Sequence, residues 1–479
     1  MLTDRTRATA SAGATDRFET NGTRGTGPVN ITGIIADYAA STSVDALPAD
    51  VRERGRLIIM DELACAAFGQ TRTPGKLATG YAVPMGGAGT CRVLGTEHRT
   101  TAPYAALANG TAGHADEVDG AHVVGGHPGA TIVHAVAAVA EHRRATGDAL
   151  LNAVVLGYEI GNRLIRACGG VFGVKSRLHL HADFLHTIGA TVAACRVLDL
   201  GPKAYADAMA LATFQANGLV ALFQERRHIS KSFCNGQYAF AGVSAALMAN
   251  AGLEGCEDVL GAENGLLAAW GLDDAASSLI DGLGHDYAVM GANFKFINAG
   301  YPIHAAVEAA MTVLHDHRIQ VAEIDAVEVG MPTHALRVVD NRAMHNICLQ
   351  DMLGAAIVQG GHRLRESPFP HLLSDPAFQA MRGRIDLRPD PELDAEQPNG
   401  RGARVTFVMR DGSRLSARVN QPKGHSTGDP IGWDDLREKW ADALPTVDID
   451  RLVRISQAVD ELDDVEELLQ IFDPPRHAA

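Results

Sequence analysis

Residues 128–145, PGATIVHAVAAVAEHRRA, are rich in alanine, carry valine and isoleucine at helical spacing, and begin with a proline. Proline suits the first turn of a helix, and small side chains let neighbouring helices approach closely. Comparable stretches recur along the chain, so we predict a helical bundle over the first three hundred residues. The predicted helices are 103–113, 128–145, 149–167, 186–199, 203–216, 236–251 and 302–316, preceded by two amphipathic helices within 30–70.

The pattern changes after about residue 318. Residues 321–329 alternate in the manner of a strand, and 404–409 and 415–419 flank an Asp411-Gly412 turn, which is typical of a β-hairpin. The sequence therefore predicts a mainly α fold, with a large all-helical domain and a smaller α/β lid domain. We predict a disordered tail over 1–28, the helical domain over 29–290 with 450–475 returning to it, and the lid over 291–449.

The composition argues against several classes of partner. A formal net charge of −15 disfavours a nucleic-acid or anionic-membrane surface, because both need an extended basic patch. No apolar run approaches the ~18 residues that a membrane-spanning helix needs. The seven cysteines are scattered and form no C-x-x-C pair, which indicates reduced thiols and a cytoplasmic protein.

The densest polar cluster runs from Asn109 to His122 and continues through Gly125-Gly126-His127-Pro128-Gly129. Pro128 places His127 at a helix N-terminus, where free backbone N–H groups and the helix dipole favour an anion. A glycine-rich loop whose carboxylates cap helices is the structural alternative. A metal site is the chemical alternative, although the spacing matches no regular zinc pattern; its candidate ligands are His114, His122, His127, Asp116, Glu117 and Asp119.

Three later clusters also precede small-residue helices. Residues 177–190 carry His179, His181 and His186, and residues 224–236 form a basic run that includes Arg227 and Lys231. Residues 294–304 contain Lys295 and His304. Either lysine alone is typical of a solvated surface charge, but both stand five residues before a glycine that precedes a helix. The repeated setting favours recognition of a carboxylate.

These motifs and their order resemble the MmgE/PrpD family from about residue 30 to residue 475. The similar elements are Asp61-Glu62-Leu63-Ala64-Cys65-Ala66-Ala67-Phe68-Gly69, Asn109-Gly110, His114-Ala115-Asp116-Glu117-Val118-Asp119, His127-Pro128, Lys231-Ser232-Phe233-Cys234-Asn235-Gly236, and Lys295 with His304. The sequence departs from the family pattern at Leu180, where a histidine is usual, and at Cys348-Leu349-Gln350-Asp351, which lacks a tyrosine.

The resemblance implies an active site in the cleft between the two domains, and a homodimer. Carried over by position, it makes Glu117, His127, Lys231 and Lys295 the candidate catalytic residues. The candidate substrate-binding residues are His114, Asp119, His179, His181, Gln215, Arg227 and His304.

The predicted function is a cofactor-independent lyase, similar to a dehydratase, that removes a proton next to a carboxylate of a small di- or tricarboxylic acid. We expect Lys231 and Lys295 to stabilise the negative charge that develops, with His127 and Glu117 as the leading proton acceptors. An epimerase, isomerase or decarboxylase acting on a related acid is the alternative within the family. A metal-dependent hydrolase and a non-catalytic carboxylate-binding scaffold are the alternatives outside it.

Overall fold

The computed structural model describes residues 29–475, apart from 363, 365–368 and 398–399. The predicted tail over 1–28 lies outside the described residues. Most described elements are helices, and the strands are confined to small sheets. The prediction of a mainly α fold with a smaller α/β part is confirmed.

Twelve of the described helices, before the end of the chain returns, build the large helical body. They are α1 (Ile31–Ser41), α2 (Ala49–Gly69), α3 (Thr73–Gly86), α4 (Ala102–Gly113), α5 (Pro128–Arg143), α6 (Gly147–Ala167), α7 (Gly170–Gly173), α8 (His186–Val197), α9 (Pro202–Thr213), α10 (Ser230–Asn250), α11 (Leu266–Ala269) and α12 (Ala276–Ile280). The helices α2, α4, α5, α6, α8 and α10 are mostly buried, because alanine and glycine line their contact faces.

The helices α4 and α10 approach each other closely in the helical body. A Cβ atom added at Gly236 would lie 2.2 Å from the Leu107 carbonyl oxygen, and one at Gly110 would lie 2.9 Å from the Gly236 Cα atom. Real side chains do not fit at such distances. Glycine at both positions therefore lets the two backbones touch, which brings the N-terminus of α10 beside the segment that follows α4.

Two short antiparallel ladders lie in the helical body. One pairs β1 (Cys91–Arg92) with β2 (Arg99–Thr100), and the other pairs β3 (Ala121–His122) with β4 (Ala292–Asn293). In the second ladder Ala121 faces Asn293. This pairing carries the chain just after β4, which includes Lys295, back against the polar segment that follows α4.

The α/β part contains a four-stranded sheet in the order β6-β5-β7-β8. The strands are β5 (Ile324–Met331), β6 (Ile385–Pro389), β7 (Ala403–Met409) and β8 (Arg414–Val419). The strand β5 is parallel to β6 and antiparallel to β7, which pairs with β8 as the predicted hairpin. The helices are α13 (His304–Asp316), α14 (Thr333–Val339), α15 (Leu349–Gln359), α16 (Phe369–Leu372), α17 (Pro376–Arg382) and α18 (Pro391–Ala395).

The end of the chain returns to the helical body as α19 (Trp433–Ala443), α20 (Ile449–Gln457) and α21 (Glu466–Leu469). Both α19 and α20 pack on α2. Lys439 Nζ and Trp440 Nε1, which are buried on α19, donate to Asp61 Oδ1 at 2.7 and 2.8 Å. The returning segment thus includes α19, which precedes residue 450. The domain boundaries themselves stay a proposal.

The described residues form two large hydrophobic cores, one within the helical body and its returning helices, the other between the sheet and α13, α15 and α17. Among the described helices, none is both long and apolar enough to cross a membrane. A cavity of about 200 Å³ lies where the two cores meet, and both parts of the fold line it.

Candidate active site

Glu117 stands at the centre of a buried polar cluster on the short 3-10 turn Ala115–Glu117, which follows α4. Asp116 and Glu117 have φ values of 58° and 59°, in the left-handed region that side chains other than glycine rarely adopt. Such backbone strain persists only where surrounding contacts enforce it. The hydrogen bonds that the Glu117 carboxylate accepts hold the backbone in this conformation.

Lysine ammonium groups and imidazole rings surround the Glu117 carboxylate. Its Oε1 atom accepts hydrogen bonds from Lys231 Nζ and, at 2.9 Å, from His228 Nε2. Its Oε2 atom accepts from Lys295 Nζ at 2.8 Å and lies 3.3 Å from His127 Nε2. Lys295 Nζ also donates to the Glu117 backbone carbonyl at 3.1 Å. Segments more than a hundred residues apart therefore meet on one carboxylate.

His127 is oriented from behind by Asp183. The imidazole Nδ1 lies 3.1 Å from Asp183 Oδ2, and the His127 backbone N–H donates to Asp183 Oδ1 at 3.3 Å. As predicted, His127 directly precedes α5 and Pro128 is its first residue. The carboxylate fixes the ring so that Nε2 points to Glu117 and to Lys295 Nζ, which is 3.5 Å away. This is the arrangement in which a histidine exchanges a proton through Nε2.

His114 holds Lys231 in a similar way. Its Nδ1 donates to Asp119, with both carboxylate oxygens at 2.9 Å, and its Nε2 accepts from Lys231 Nζ at 2.6 Å. Burial lowers the pKa of His114 to about 3, despite the opposing charge of Asp119. A neutral His114 can therefore accept from the ammonium group, and it fixes that group against Glu117.

Within the cluster, Glu117 keeps its negative charge and Lys231 keeps its positive charge. Burial alone would raise the pKa of Glu117, but the ammonium groups of Lys231 and Lys295 hold it well below its usual value. Burial would lower the pKa of Lys231, and the Glu117 carboxylate raises it instead. Burial and both lysines lower the pKa of His127, yet the charges of Asp119 and Glu117 outweigh them and the net shift is upward. Glu117 is thus a weak base, whereas His127 favours its protonated form.

The inter-domain cavity opens onto this cluster. Glu117, His127, His181, Asp183 and Lys231 belong to its wall, and so do several cations from elsewhere. Those cations are Lys175, Arg337, Arg342 and Arg401. The pKa of Lys175 is lowered by its partial burial and by the positive charge of Arg342. Two neighbouring cations that disfavour each other in this way favour an anion between them.

Some side chains of the cluster are of the types that bind metal ions. Two groups of described side chains, His114 with Asp119 and His127, and His114 with Glu117 and His228, place possible ligand atoms within 4.8 Å of one another. In both groups the His114 Nδ1 and Nε2 atoms already contact Asp119 and Lys231. A metal ion at these atoms would lie against the Lys231 ammonium, and the two positive charges would repel each other.

The structure brings together many of the residues that the sequence suggested. Glu117, His127, Lys231, Lys295, His114 and Asp119 form the cluster, and His181 lines the cavity with its Nε2 atom 3.6 Å from Asp183 Oδ2. His304 is buried at the start of α13, with Nε2 3.2 Å from the Ala299 carbonyl oxygen. Within the described part of the chain, the cavity wall does not include His304, His179, Gln215 or Arg227.

The positions of His179, Gln215 and Arg227 explain why these residues do not line the cavity. His179 and Arg227 are exposed, and His179 has a φ of 56°, so the chain turns at this residue and only His181 of the pair is buried in the cavity wall. Gln215 follows the end of α9 and is partly exposed. Sequence spacing could not separate these residues from their neighbours, because a single turn reverses which side chain faces inwards.

Two residues of the cluster were not selected from the sequence, His228 and Asp183. Both lie inside polar runs of the sequence, residues 224–236 and 177–190. His228 follows two arginines and precedes α10, and its φ of 52° turns its ring inwards onto Glu117. Asp183 lies between His181 and His186. An acidic residue among histidines is a signal for a paired imidazole, and that signal could have identified it.

The helical body, the α/β part and the cavity between them define a two-domain protein. Its buried lysine, histidine and carboxylate groups are coupled beside one cavity that several cations line. The MmgE/PrpD N-terminal domain matches residues 33–277 and the MmgE/PrpD C-terminal domain matches residues 298–464. The chain belongs to the MmgE/PrpD family.

Several relatives align over most of the chain. The cis-aconitate decarboxylase-like protein oryM of Aspergillus oryzae is 26% identical, over 92% of this chain and 97% of its own. Cis-aconitate decarboxylase of Aspergillus terreus is 24% identical, over 93% of this chain and 96% of its own. The human cis-aconitate decarboxylase is also 24% identical, with 91% and 93% covered.

Proposed function

We propose that this chain is a lyase that acts on a small di- or tricarboxylic acid through proton transfer at a carbon next to a carboxylate. One observation carries the proposal: Glu117, His127, Lys231 and Lys295 meet in a buried cluster beside a cavity whose wall bears further cations. A carbanion next to a carboxylate adds charge to a group that is already negative. Preorganised ammonium groups stabilise that charge better than water does.

The proton-transfer role falls to His127 in this proposal. Its raised pKa and the carboxylate behind its Nδ1 atom favour an imidazolium that donates from Nε2. Glu117, with its pKa well below the usual range, is a poor proton acceptor and instead binds the two ammonium groups. This differs from the sequence-based hypothesis, in which Glu117 and His127 shared the role of base.

The substrate carboxylates would bind the cations of the cavity wall. Lys175 and Arg342 come from opposite parts of the fold, and the Arg342 guanidinium donates to the Phe223 carbonyl at 3.1 Å. A carboxylate held there would bridge the helical body and the lid. Its binding would therefore also favour closure of the cavity and exclusion of water.

Dehydration is the first reaction that we propose, as the sequence suggested, and decarboxylation is the second. The names of the aligned relatives favour decarboxylation of an unsaturated tricarboxylic acid. In decarboxylation, an imidazolium at His127 protonates the carbanion that remains after carbon dioxide departs. In dehydration, it protonates the leaving hydroxyl group while a second group takes the proton from the neighbouring carbon. His181 is our candidate for that base, because it lines the cavity and burial lowers its pKa to about 4, which keeps the imidazole neutral. Released carbon dioxide and the change in unsaturation of the product, measured together, distinguish the two reactions.

The test is proton exchange in heavy water with citrate, malate, aconitate and aspartate-derived acids. We expect deuterium to enter a carbon next to a carboxylate of at least one acid, and we expect His127→Gln to abolish that entry while the protein stays folded. A scaffold that only binds carboxylates would leave every acid unlabelled. Loss of exchange on chelation, with recovery on adding a metal ion, would favour the metal-dependent alternative instead.

A further inference from the structure

The cavity wall divides into a charged part and an apolar part. Besides the cluster around Glu117 and the cations, apolar side chains from both parts of the fold line the cavity. Among them are Val171, Leu180, Phe223, Met331, Val338 and Ile347. The proton-transfer chemistry described above uses none of these side chains.

The apolar surface directly adjoins the cluster around Glu117. The Phe223 ring centre lies 5.3 Å from that of His181 and 6.0 Å from Lys231 Nζ. From the α/β part, Met331 of β5 and Val338 of α14 line the same cavity. A molecule whose reacting carbon reaches Lys231 and His127 therefore shares the cavity with hydrocarbon surface from both parts of the fold.

A plain di- or tricarboxylic acid does not match such a wall. Nearly every carbon of citrate or aconitate bears a charged or hydroxyl group, and each such group loses water against hydrocarbon without gaining a hydrogen bond. An alkyl group placed there loses unfavourable contact with water instead. The apolar wall therefore fits an alkyl substituent, which a plain di- or tricarboxylic acid lacks.

We infer that the substrate is a di- or tricarboxylic acid that carries an alkyl chain longer than a methyl group. The carboxylates bind the cations, and the chain lies against the apolar wall. This inference rests on the proposed function, because it places the reacting carbon at His127 and Lys231. A cavity of about 200 Å³ restricts the chain to a few carbons.

Binding can be measured separately from turnover. Propane-1,2,3-tricarboxylate and its 1-methyl, 1-propyl and 1-hexyl derivatives lack both the hydroxyl group and the double bond, so they serve as unreactive probes in titration calorimetry. We expect about fourfold tighter binding for each methylene between methyl and propyl, which is the gain from burying one such group, and a smaller gain per carbon towards hexyl. Equal affinities across the series would overturn the inference.

Two variants test whether the apolar wall is responsible. Ala335 is buried on α14 and lines the cavity, whereas Ala380 on α17 is exposed and lies outside the cavity wall formed by the described residues. Ala335→Leu fills space and should abolish the gain from methyl to propyl, while Ala380→Leu should keep it. If Ala335→Leu fails to fold, Val338→Asn replaces it, because an amide on the wall should reduce the gain at least fivefold. A full gain in either wall variant would contradict the inference.

The heavy-water experiment separates the two proposals once propyl-substituted citrate and aconitate are added to its panel of acids. Labelling of acids without the chain-length dependence would leave the lyase proposal standing and remove the alkyl chain from it. Chain-length dependence in the calorimetry without labelling of any alkyl acid would contradict the lyase proposal and, with it, the substrate assignment.

Discussion

Glu117 illustrates how a buried charge acts through its surroundings. Its carboxylate lies between two lysine ammonium groups, which hold its pKa well below the usual range in spite of burial. Removing one partner of such a buried pair leaves the other charges uncompensated, which typically costs about 3–5 kcal/mol of stability. Glu117 is therefore as important for holding Lys231 and Lys295 in place as for any direct role in proton transfer.

We expect Glu117→Gln to lower turnover at least a hundredfold and to reduce the free energy of unfolding by about 3 kcal/mol. The neighbouring Asp116→Asn is the matched control. Asp116 shares the positive φ, which asparagine also tolerates, but it pairs with Arg72 at 3.2 Å and is absent from the Glu117 cluster. Turnover and denaturant unfolding should change little in the control. Equal effects of the two substitutions would remove the special role of Glu117.

The pH dependence of turnover should report on His127. Because its pKa is raised and the imidazolium is the active form in the proposal, turnover should fall as the pH rises through that pKa. His127→Gln should lower turnover by about 10²–10⁴-fold and remove this alkaline limb, which profiles of kcat/KM would show. If the alkaline limb survives in His127→Gln, a group other than His127 causes it.

Among the helices, the contact of α4 with α10 decides where Lys231 lies. Glu225 accepts hydrogen bonds from the backbone N–H groups of Ser230 and Lys231 at 2.8 and 2.7 Å, and so caps the start of α10. The sequence predicted this helix from 236, six residues late, because the basic run before Gly236 looked like a polar loop. The cap and the buried Lys231 extend the helix into that run.

We expect Gly236→Ala to push α10 away from α4, because the new Cβ would lie 2.2 Å from the Leu107 carbonyl oxygen and from Thr111 Oγ1. Such overpacking costs about 1–3 kcal/mol, and the shift of Lys231 should lower turnover by tenfold or more. Gly80→Ala on α3 is the control. Nothing lies within 4 Å of its added Cβ, so stability should rise by about 0.5–1 kcal/mol with turnover unchanged.

At the scale of the whole molecule, several buried histidines couple folding to pH. Burial lowers the pKa of His114, His134, His186 and His304 to about 3 in each case. The unfolded chain protonates these groups near pH 6.5, whereas the folded protein does not until far lower pH. Their folded pKa values lie below the unfolded ones, so this stability is present above pH 6.5 and declines as the pH falls.

The free energy of unfolding should therefore decrease from pH 7.5 to pH 5.5. His134→Leu should make that decrease smaller by about 1 kcal/mol, which is the linkage expected for one such histidine. His134 lies in the helical core, away from the cavity wall as described, so the variant tests folding and not catalysis. Replacing the exposed His98 by leucine is the control, and equal effects of the two changes on the pH dependence would contradict the assignment to His134.

The homodimer, the cytoplasmic location and the residue limits of the two domains stay predictions. Light scattering of the purified chain tests the homodimer, and limited proteolysis near residues 290 and 450 tests the domain limits. The absence of a required cofactor also stays a prediction, and chelation during the exchange assay tests it.

The sequence by itself determined the helical body, the strand hairpin and the segments that carry the polar cluster. These follow from local periodicity, from proline at helix starts and from the Asp411-Gly412 turn, all of which act within a few residues along the chain. Family motifs added Glu117, His127, Lys231 and Lys295 at specific positions.

Only the tertiary structure decided which of the neighbouring polar residues point into the cavity. His181 lines the wall and His179 does not, and His228 reaches Glu117 while the adjacent Arg227 is exposed, because left-handed backbone conformations at His179 and His228 redirect the chain. The apolar wall likewise exists only where two separate cores meet. Its physical cause is long-range packing, which no pattern of neighbouring residues encodes.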